Sequence, residues 1–274
     1  MKIIRNQTLC STLEDSQGER RDKQFLQELI DKAPPRFPLG QHHDNALKSV
    51  GFIENFRIVP ILDNLGEWQI VGDVHIEDDR NFSDFGGFSF STTEIEKRAV
   101  DSLAGLYVPF PFYRDKEVID EIMSYSSNLS AGRWVKKNSD PSHINLLVSF
   151  VLFALTPVWK RVFDEKVWPV LEEVLGNYRK GRFKSTPFDY GAIVEGVLGE
   201  QINILFVPDR GNIQLSFTNE LIENGLEKAI NLIKFDERGA KIGISLIKLH
   251  FHDYEEGYKI TSVQYCDGDL KHFV

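Results

Sequence analysis

The chain has 274 residues, of which 42% are apolar and 27% are charged, and its formal net charge is −9. Such a chain is long enough for one large domain or two small ones with a sizeable core, and its composition is that of an ordinary globular protein. The negative charge repels polyanions, which disfavours DNA or RNA as a general ligand. Two cysteines, Cys10 and Cys266, are too few for a disulfide framework, so we expect reduced thiols and a cytoplasmic location.

The N-terminal half, residues 1–126, is expected to combine helices and strands. Helices are predicted where apolar residues recur every three or four positions, and strands where apolar and polar residues alternate. A turn-like DNLG tetrapeptide joins the first two strands. In chain order, the predicted elements are a helix over 18–33, strands over 56–62, 67–77 and 85–91, and helices over 93–105 and 116–125.

The polar segment 126–142 is predicted to be a loop and the boundary between two halves. The second half, residues 142–274, begins with a helical segment over 142–176 and continues with a β-β-α-β-β unit. The predicted elements of this unit are strands over 201–207 and 213–218, a helix over 219–234, and strands over 241–252 and 258–265. The whole pattern predicts an α+β fold with an antiparallel or mixed sheet and packed helices, in two halves or in one continuous domain.

The longest apolar run, residues 144–158, lies in the helical segment. A membrane-spanning helix needs roughly 20 residues, whereas this run has 15 and ends beside Pro157. We therefore predict a buried core helix and no membrane association. The N-terminus has no apolar run of the length of a signal peptide.

The most acidic part of the chain is the segment 63–84, in which seven acidic residues and one basic residue give a net charge of −6. Its acidic residues are Asp63, Glu67, Asp73, Glu77, Asp78, Asp79 and Asp84. Crowded carboxylates repel one another, and a bound cation or a basic partner relieves that repulsion. Three interpretations of this segment are possible.

The first interpretation is a divalent metal site on the strand over 67–77. Asp73 and His75 share one strand face because alternate side chains point to the same side. The sequence VGDVH resembles the first block of the metallophosphoesterases. This resemblance implies that the Asp-x-His pair binds a metal at the end of a strand and that the protein is a hydrolase. The resemblance covers about five residues, and the later Gly-Asp and Gly-Asn-His blocks of that family are missing.

A second histidine pair extends the metal hypothesis. His250 and His252 share a face of the strand over 241–252, as in many zinc sites. If the fold brings both pairs together, the metal lowers the pKa of a bound water, and Glu77 or Asp253 accepts its proton. The candidate metal ligands are Asp73, His75, Glu77, His250 and His252.

The other two interpretations of the acidic segment are a calcium loop and a solvated surface. Asp79, Asn81 and Ser83 have the alternate spacing of a calcium loop. Asp84 and Phe90, however, stand where the EF-hand pattern requires glycine and glutamate. The polar residues of the strand would otherwise form the solvated side of an amphipathic strand.

A basic segment, residues 177–184, has the opposite charge. Its cations are Arg179, Lys180, Arg182 and Lys184. They would contact nucleic-acid phosphates, form a solvated helix end that suits the helix dipole, or meet an acidic patch on a partner or on a second copy of the chain. The acidity of the whole chain disfavours the first of these possibilities.

The sequence thus favours an intracellular, non-catalytic binding or regulatory subunit that acts through contacts with another protein subunit or with itself. The supporting observations are the lack of a complete catalytic motif and the separation of charge into two segments. The predicted partner-binding residues are Asp78, Asp79, Asp84, Arg179, Lys180, Arg182 and Lys184. The alternative is a metal-dependent hydrolase, either phosphoesterase-like or nuclease-like.

Overall fold

The computed structural model describes residues 1–15, 18–40, 47–77, 91–98, 102–109, 112–136, 144–149, 157–181, 186–209, 211 and 213–273. The chain divides into two compact units. Unit 1 comprises Met1–Thr92 and Val135–Asp140, and unit 2 comprises Thr93–Trp134 and Pro141–Val274. Helices and mixed sheets occur together, which confirms the predicted α+β class. The division of the chain at 126–142 remains a prediction.

Unit 1 is a four-stranded antiparallel sheet with the strand order β1-β4-β3-β2. Its elements are β1 (Lys2–Ser11), α1 (Lys23–Lys32), β2 (Phe37–Pro38), β3 (Gly51–Pro60) and β4 (Trp68–Ile76). Leu26 of α1 belongs to the same buried cluster as Ile70 and Val74 of β4. Burying side chains of this size contributes roughly 1.5–3 kcal/mol each, so the apolar stripe of α1 holds the helix on one face of the sheet.

Two predictions for unit 1 are confirmed, and two strands were missed. The predicted helix over 18–33 contains α1, and the predicted hairpin corresponds to β3 and β4, although β3 begins at Gly51, five residues before the predicted strand. The missed strands are the two-residue β2 and the longer β1, whose pairing with β4 shifts register between Ile4 and Gln7 and again between Thr8 and Cys10. Each shift interrupts the alternation of apolar and polar residues by which a strand is recognised.

Unit 2 contains most of a nine-stranded mixed sheet with the order β13-β12-β11-β10-β9-β8-β6-β7-β5. Its elements are β5 (Ser91–Lys97), β6 (Ala104–Val108), α2 (Lys116–Met123), β7 (Leu129–Lys136), β8 (Ile144–Ser149), α3 (Trp159–Val162), α4 (Trp168–Lys180), β9 (Phe188–Glu195), β10 (Gln201–Val207), α5 (Ile213–Ser216), α6 (Asn219–Phe235), α7 (Gly239–Ile242), β11 (Ile244–Asp253), β12 (Gly257–Tyr265) and β13 (Leu270–His272). A 3-10 turn, Phe112–Arg114, precedes α2. A π-helical turn, Phe163–Val167, joins α3 to α4.

Parallel strand pairs with a helical connection recur in unit 2. The pairs β6–β7, β8–β9 and β10–β11 are each adjacent and parallel. Parallel neighbours need a crossover, and helices α2, α3–α4 and α5–α7 provide these crossovers. Apolar side chains from strands and helices form one core, in which the ring of Tyr190 lies 5.2 Å from Phe206 and 5.3 Å from Phe217.

The predicted core helix over 144–158 is wrong where the structure describes it, because Ile144–Ser149 is strand β8. A short apolar run is compatible with a buried helix and with a buried strand, and periodicity alone does not separate them. Strand β8 lies between β6 and β9, where both faces favour apolar residues. No helix in the described part of the chain combines the length and hydrophobicity that a membrane span requires.

Three further predictions for unit 2 are corrected. The predicted helix over 93–105 is replaced by the end of β5 and the start of β6, the predicted loop over 126–142 contains β7, and the predicted strand over 213–218 begins with the short helix α5. Strand β10 therefore forms its hairpin with β9. The predicted helix over 219–234 and the hairpin β11–β12 are confirmed. The predicted strand over 85–91 lies outside the described residues except for Ser91.

Gly51 at the start of β3 allows a close backbone approach that no other residue type permits. Its φ is +156°, and an added Cβ would lie 1.9 Å from the carbonyl oxygen of His75. We expect Gly51→Ala to lower the free energy of unfolding of unit 1 by about 3 kcal/mol, because either the backbone or β4 must move. Gly40→Ala is the matched control, since no atom of the described residues lies within 4 Å of its Cβ position.

The measurement is hydrogen exchange of the β3 and β4 amides as urea is increased. Gly51→Ala should exchange at a lower urea concentration than the wild-type protein, and Gly40→Ala should not. Equal protection in the two variants would show that the close approach of β3 to β4 is not required.

Candidate functional site

Asp73 and His75 lie on β4, the strand that pairs with both β1 and β3 in unit 1. They share one face of the strand, and Val74 between them belongs to the core cluster on the other face. Only 7% of Asp73 and 8% of His75 is exposed. Ionisable side chains are rarely buried to this extent without specific partners, so the contacts of both residues determine what they can do.

Asp73 lies between two β-bulges. The pairing of β1 with β4 shifts between Ile4 and Gln7, and the pairing of β3 with β4 shifts between Glu54 and Arg57. Each bulge contains an asparagine with a positive φ, Asn6 at 56° and Asn55 at 57°. Asparagine enters this left-handed region more readily than most residues.

The Asp73 carboxylate binds both bulges. Its Oδ1 accepts a hydrogen bond from the backbone N–H of Asn6 at 3.0 Å, and its Oδ2 accepts one from the side-chain amide of Asn55 at 3.2 Å. These two hydrogen bonds, in that order, together with the charges of Arg57 and Arg5, lower the pKa of Asp73 below its ordinary value. The carboxylate is therefore ionised, and it stabilises the local backbone of the sheet.

His75 is oriented by Glu54 of the neighbouring strand. The His75 Nε2 atom lies 3.1 Å from Oε1 of Glu54, and Oε2 of Glu54 lies 3.3 Å from Nε of Arg36. The imidazole also stacks on Phe52, with ring centroids 4.5 Å apart and an angle of 10° between the planes. The Arg36 guanidinium lies 4.9 Å from the centroid of the same Phe52 ring. Hydrogen bonding and stacking together fix the position of the imidazole.

The second ring nitrogen of His75, Nδ1, is buried and has no hydrogen-bond partner among the described residues. An imidazole whose Nε2–H is donated to a carboxylate has a lone pair on Nδ1, as do histidines that ligate metals. The arrangement can chemically accept a proton, a hydrogen bond or a metal ion at Nδ1. Sequence reasoning identified His75 but missed Glu54 and Arg36, because only strand pairing brings them to it.

Of the other predicted site residues in the acidic segment, only Glu77 is among the described residues. Glu77 is exposed just after β4, and its backbone N–H donates to the carbonyl oxygen of Val50 at 2.9 Å. Asp78, Asp79 and Asp84 lie outside the described residues, and so does the calcium-loop pattern that begins at Asp79. Their roles stay predictions.

His250 and His252 lie on β11 in unit 2. The backbone of His250 pairs with Val207 of β10, and the register that pairs Phe206 with Tyr190 places Asp189 of β9 beside Val207. Asp189 is fully buried. Sequence reasoning missed this carboxylate, because no strand was predicted around Asp189 and a single aspartate does not indicate that the fold places it beside a histidine. A centre that also includes Asp73 and His75 would need residues of both units and remains a prediction.

An exposed group of possible metal ligands lies at the β11–β12 turn. One ligand atom each from His252, Asp253 and Glu256 lies within 4.8 Å of the others. The His252 Nε2 atom is 3.1 Å from Oε2 of Glu256, and this oxygen also pairs with Lys259. Oδ1 of Asp253 accepts the backbone N–H groups of Glu255 and Glu256, at 3.0 and 2.8 Å. The polar groups of this turn therefore already bind one another.

The basic segment is described only in part. Arg179 and Lys180 form the last turn of α4, where cations interact favourably with the carbonyl end of the helix. Arg182 and Lys184 lie outside the described residues. The partner-binding role of all four residues stays a prediction.

The β3–β4 turn, Ile61–Glu67, carries two exposed leucines. Leu62 is 89% exposed and Leu65 is 99% exposed. The turn is held by three backbone hydrogen bonds: Ile61 N–H to Glu67 O at 3.0 Å, Asn64 N–H to Ile61 O at 3.2 Å, and Glu67 N–H to Asn64 O at 3.0 Å. Sequence reasoning treated DNLG only as a connection between strands and missed the exposure of its leucines.

Comparisons of the chain with protein-family models, with curated proteins and with solved structures find no match. Two features of unit 1 have geometry that bears on function, the Asp73–His75 strand face and the β3–β4 turn.

The contacts of Asp73 make the stability of unit 1 depend on pH. A carboxylate whose pKa is lowered on folding stabilises the folded state fully above its unfolded pKa, here near 3.8, and this stabilisation is lost as the pH falls through the lower folded value. We expect Asp73→Asn to abolish this part of the acid destabilisation. We expect Asp73→Ala to cost about 1–3 kcal/mol at pH 7, because the Asn6 N–H loses its acceptor.

Urea unfolding at pH 7 and at pH 3, followed by hydrogen exchange of the β1 and β4 amides, measures both effects. Asp63→Asn is the matched control, because Asp63 lies in the exposed turn. Equal acid sensitivity of Asp73→Asn and the wild-type protein would contradict the assigned role.

Proposed function

We propose that this protein is a non-catalytic binding or regulatory subunit that docks on a partner protein through the β3–β4 turn of unit 1. The supporting observation is the near-complete exposure of Leu62 and Leu65. We also propose the cytoplasm as its location, on the basis of its low cysteine content. The docking surface is the β3–β4 turn, and the expected contact is burial of the two leucines in the partner.

The two leucines provide the energetic argument. Transfer of a leucine side chain from water to an apolar environment contributes roughly 1.5–3 kcal/mol. Leu62 and Leu65 have almost all of this contribution left to gain, since 89% and 99% of their surfaces are in water. Residues that carry binding energy are commonly apolar side chains that fill a partner's pocket.

The backbone of the turn supports the same proposal. Three backbone hydrogen bonds fix Ile61–Glu67, and Gly66 adopts a φ of +87°. The Glu67 carboxylate binds Arg20 and the hydroxyl of Thr12, which attaches the base of the turn to the segment after β1. A segment that is ordered before binding loses little conformational entropy when it binds.

The expected partner is a protein with an apolar pocket for the two leucines. Asp63 lies between them in the chain and is exposed, so a cation at the rim of the pocket would favour the correct orientation. A second copy of this chain is the self-association form of the same proposal.

The test is site-specific photo-crosslinking in the cells that produce the protein. A benzophenone amino acid at position 65 should form one dominant cross-link to a partner, whereas the same group at position 198 should not. Leu198 is a suitable control because it lies in another hairpin turn, β9–β10, and is 56% exposed.

The cross-linked partner is then purified, and its affinity for the variants is measured by calorimetry. Replacing Leu62 and Leu65 together by serine should weaken binding at least tenfold, since more than 1.4 kcal/mol of apolar burial is lost. Leu198→Ser should bind like the wild-type protein. Unchanged affinity of the double variant would exclude the turn as the docking surface.

The Asp73–His75 face supports a second candidate function, a metal-dependent hydrolase. Its specific observation is that the ionised Asp73 lies on the same strand face as His75, whose buried Nδ1 has no hydrogen-bond partner among the described residues. The hydrogen bonds that Asn6 and Asn55 donate to Asp73, and the contact of His75 Nε2 with the Glu54 carboxylate, would act as the outer shell that orients such ligands. A bound metal would supply an activated water as nucleophile.

Elemental analysis of protein purified without chelator tests this second candidate. We expect a near-stoichiometric amount of zinc, manganese or iron in the wild-type protein, and its loss in His75→Ala. His252→Ala is the control, because His252 lies in unit 2 at an exposed turn. Retention of the metal in His75→Ala, or metal-free wild-type protein, would refute a metal site at His75.

A further inference from the structure

We infer that Glu54 and Arg36 are positioning residues that hold His75 in the Nε2–H tautomer and leave its Nδ1 as a buried lone pair. This inference deepens the second candidate function, on which its ligand class rests. The positioning can be tested without any bound ligand, so it stands or falls separately from metal binding.

The tautomer follows from the chemistry of the two partners. An ionised carboxylate only accepts hydrogen bonds, and Oε1 of Glu54 lies 3.1 Å from Nε2 of His75. The Nε2 atom must therefore carry the proton of this contact. Arg36 donates to the other oxygen of Glu54 at 3.3 Å, so both oxygens of this carboxylate act as acceptors.

The state of Nδ1 follows from burial. A second proton on the ring would place an N–H donor at a buried atom that has no partner among the described residues. A buried unpaired donor costs about 1–3 kcal/mol, and more when it carries charge. The neutral ring with an Nδ1 lone pair avoids that cost. Its ligand class is a Lewis acid or a hydrogen-bond donor, and Zn²⁺ is the Lewis acid that probes it most directly.

Strand pairing makes the positioning rigid. Phe52 pairs with His75 across β3 and β4, and Glu54 pairs with Asp73 in the same register. The Phe52 ring covers one face of the imidazole, and Arg36 packs on Phe52 while it binds Glu54. A 180° flip of the ring would replace Nε2 by a carbon and remove the Glu54 contact.

The experiment is a long-range proton–nitrogen NMR correlation of ¹⁵N-histidine-labelled protein, with His75 assigned from the spectrum of His75→Gln. The wild-type spectrum should show a protonated Nε2 and an unprotonated Nδ1. Glu54→Ala should give a mixture of tautomers, and Glu54→Gln should retain the wild-type pattern because its amide oxygen still accepts from Nε2. Arg36→Ala should give a tautomer ratio between those of the wild-type protein and Glu54→Ala.

Glu256→Ala is the matched control, because it removes the carboxylate partner of His252 instead. It should change the tautomer of His252 and leave that of His75 unchanged. Circular dichroism verifies that each variant is folded. A protonated Nδ1 in the wild-type protein, or an unchanged tautomer in folded Glu54→Ala, would overturn the inference.

Titration of the same sample with Zn²⁺ alone distinguishes the positioning of His75 by Glu54 from the ligand class proposed for Nδ1. A selective change of the His75 Nδ1 resonance supports the ligand class. If Zn²⁺ leaves that resonance unchanged while Glu54→Ala alters the tautomer, the ligand class is wrong and the positioning by Glu54 holds.

Discussion

The Asp73 carboxylate holds the two bulges on either side of β4, and the geometry of the unit 1 sheet depends on this interaction. One oxygen binds the β1 bulge at Asn6, and the other binds the β3 bulge at Asn55. A register slip of one residue would move every side chain of a strand to the opposite face. By fixing both bulges, Asp73 keeps Phe52 opposite His75 and brings Glu54 within reach of the imidazole. A residue first considered as a metal ligand thus has a structural role that does not depend on any metal.

The two features behind the candidate functions of unit 1 lie at opposite ends of β4. The exposed leucines belong to the turn that leads into Trp68 at the start of β4, whereas His75 lies next to the last residue of that strand. A strand rises about 3.3 Å per residue, so the turn and the imidazole are roughly 20 Å apart. A partner that docked on the turn alone would therefore not cover His75, so the two proposals do not exclude each other.

In unit 2, topology determines which polar residues are neighbours. Three parallel strand pairs, each with a helical crossover, order the sheet so that β9, β10 and β11 lie side by side. This order places the buried Asp189 in one row with His250, although 61 positions separate them in the chain. An all-hairpin arrangement, which the sequence pattern of this region favours, would not make them neighbours, because consecutive antiparallel strands pair with their neighbours in the chain.

The sequence by itself determined the α+β class, α1, the β3–β4 hairpin, α6 and the β11–β12 hairpin. Each of these elements has a regular apolar period and clear turn or cap residues, so local physics suffices to predict it. It also marked Asp73 and His75 as a pair, because alternation along a strand is a local property. Only the tertiary structure decided that 144–149 is a strand, that Asn6 and Asn55 form bulges, and that Glu54 and Arg36 orient His75. These features depend on contacts between residues distant in the chain, and the period of a single segment carries no information about its neighbours.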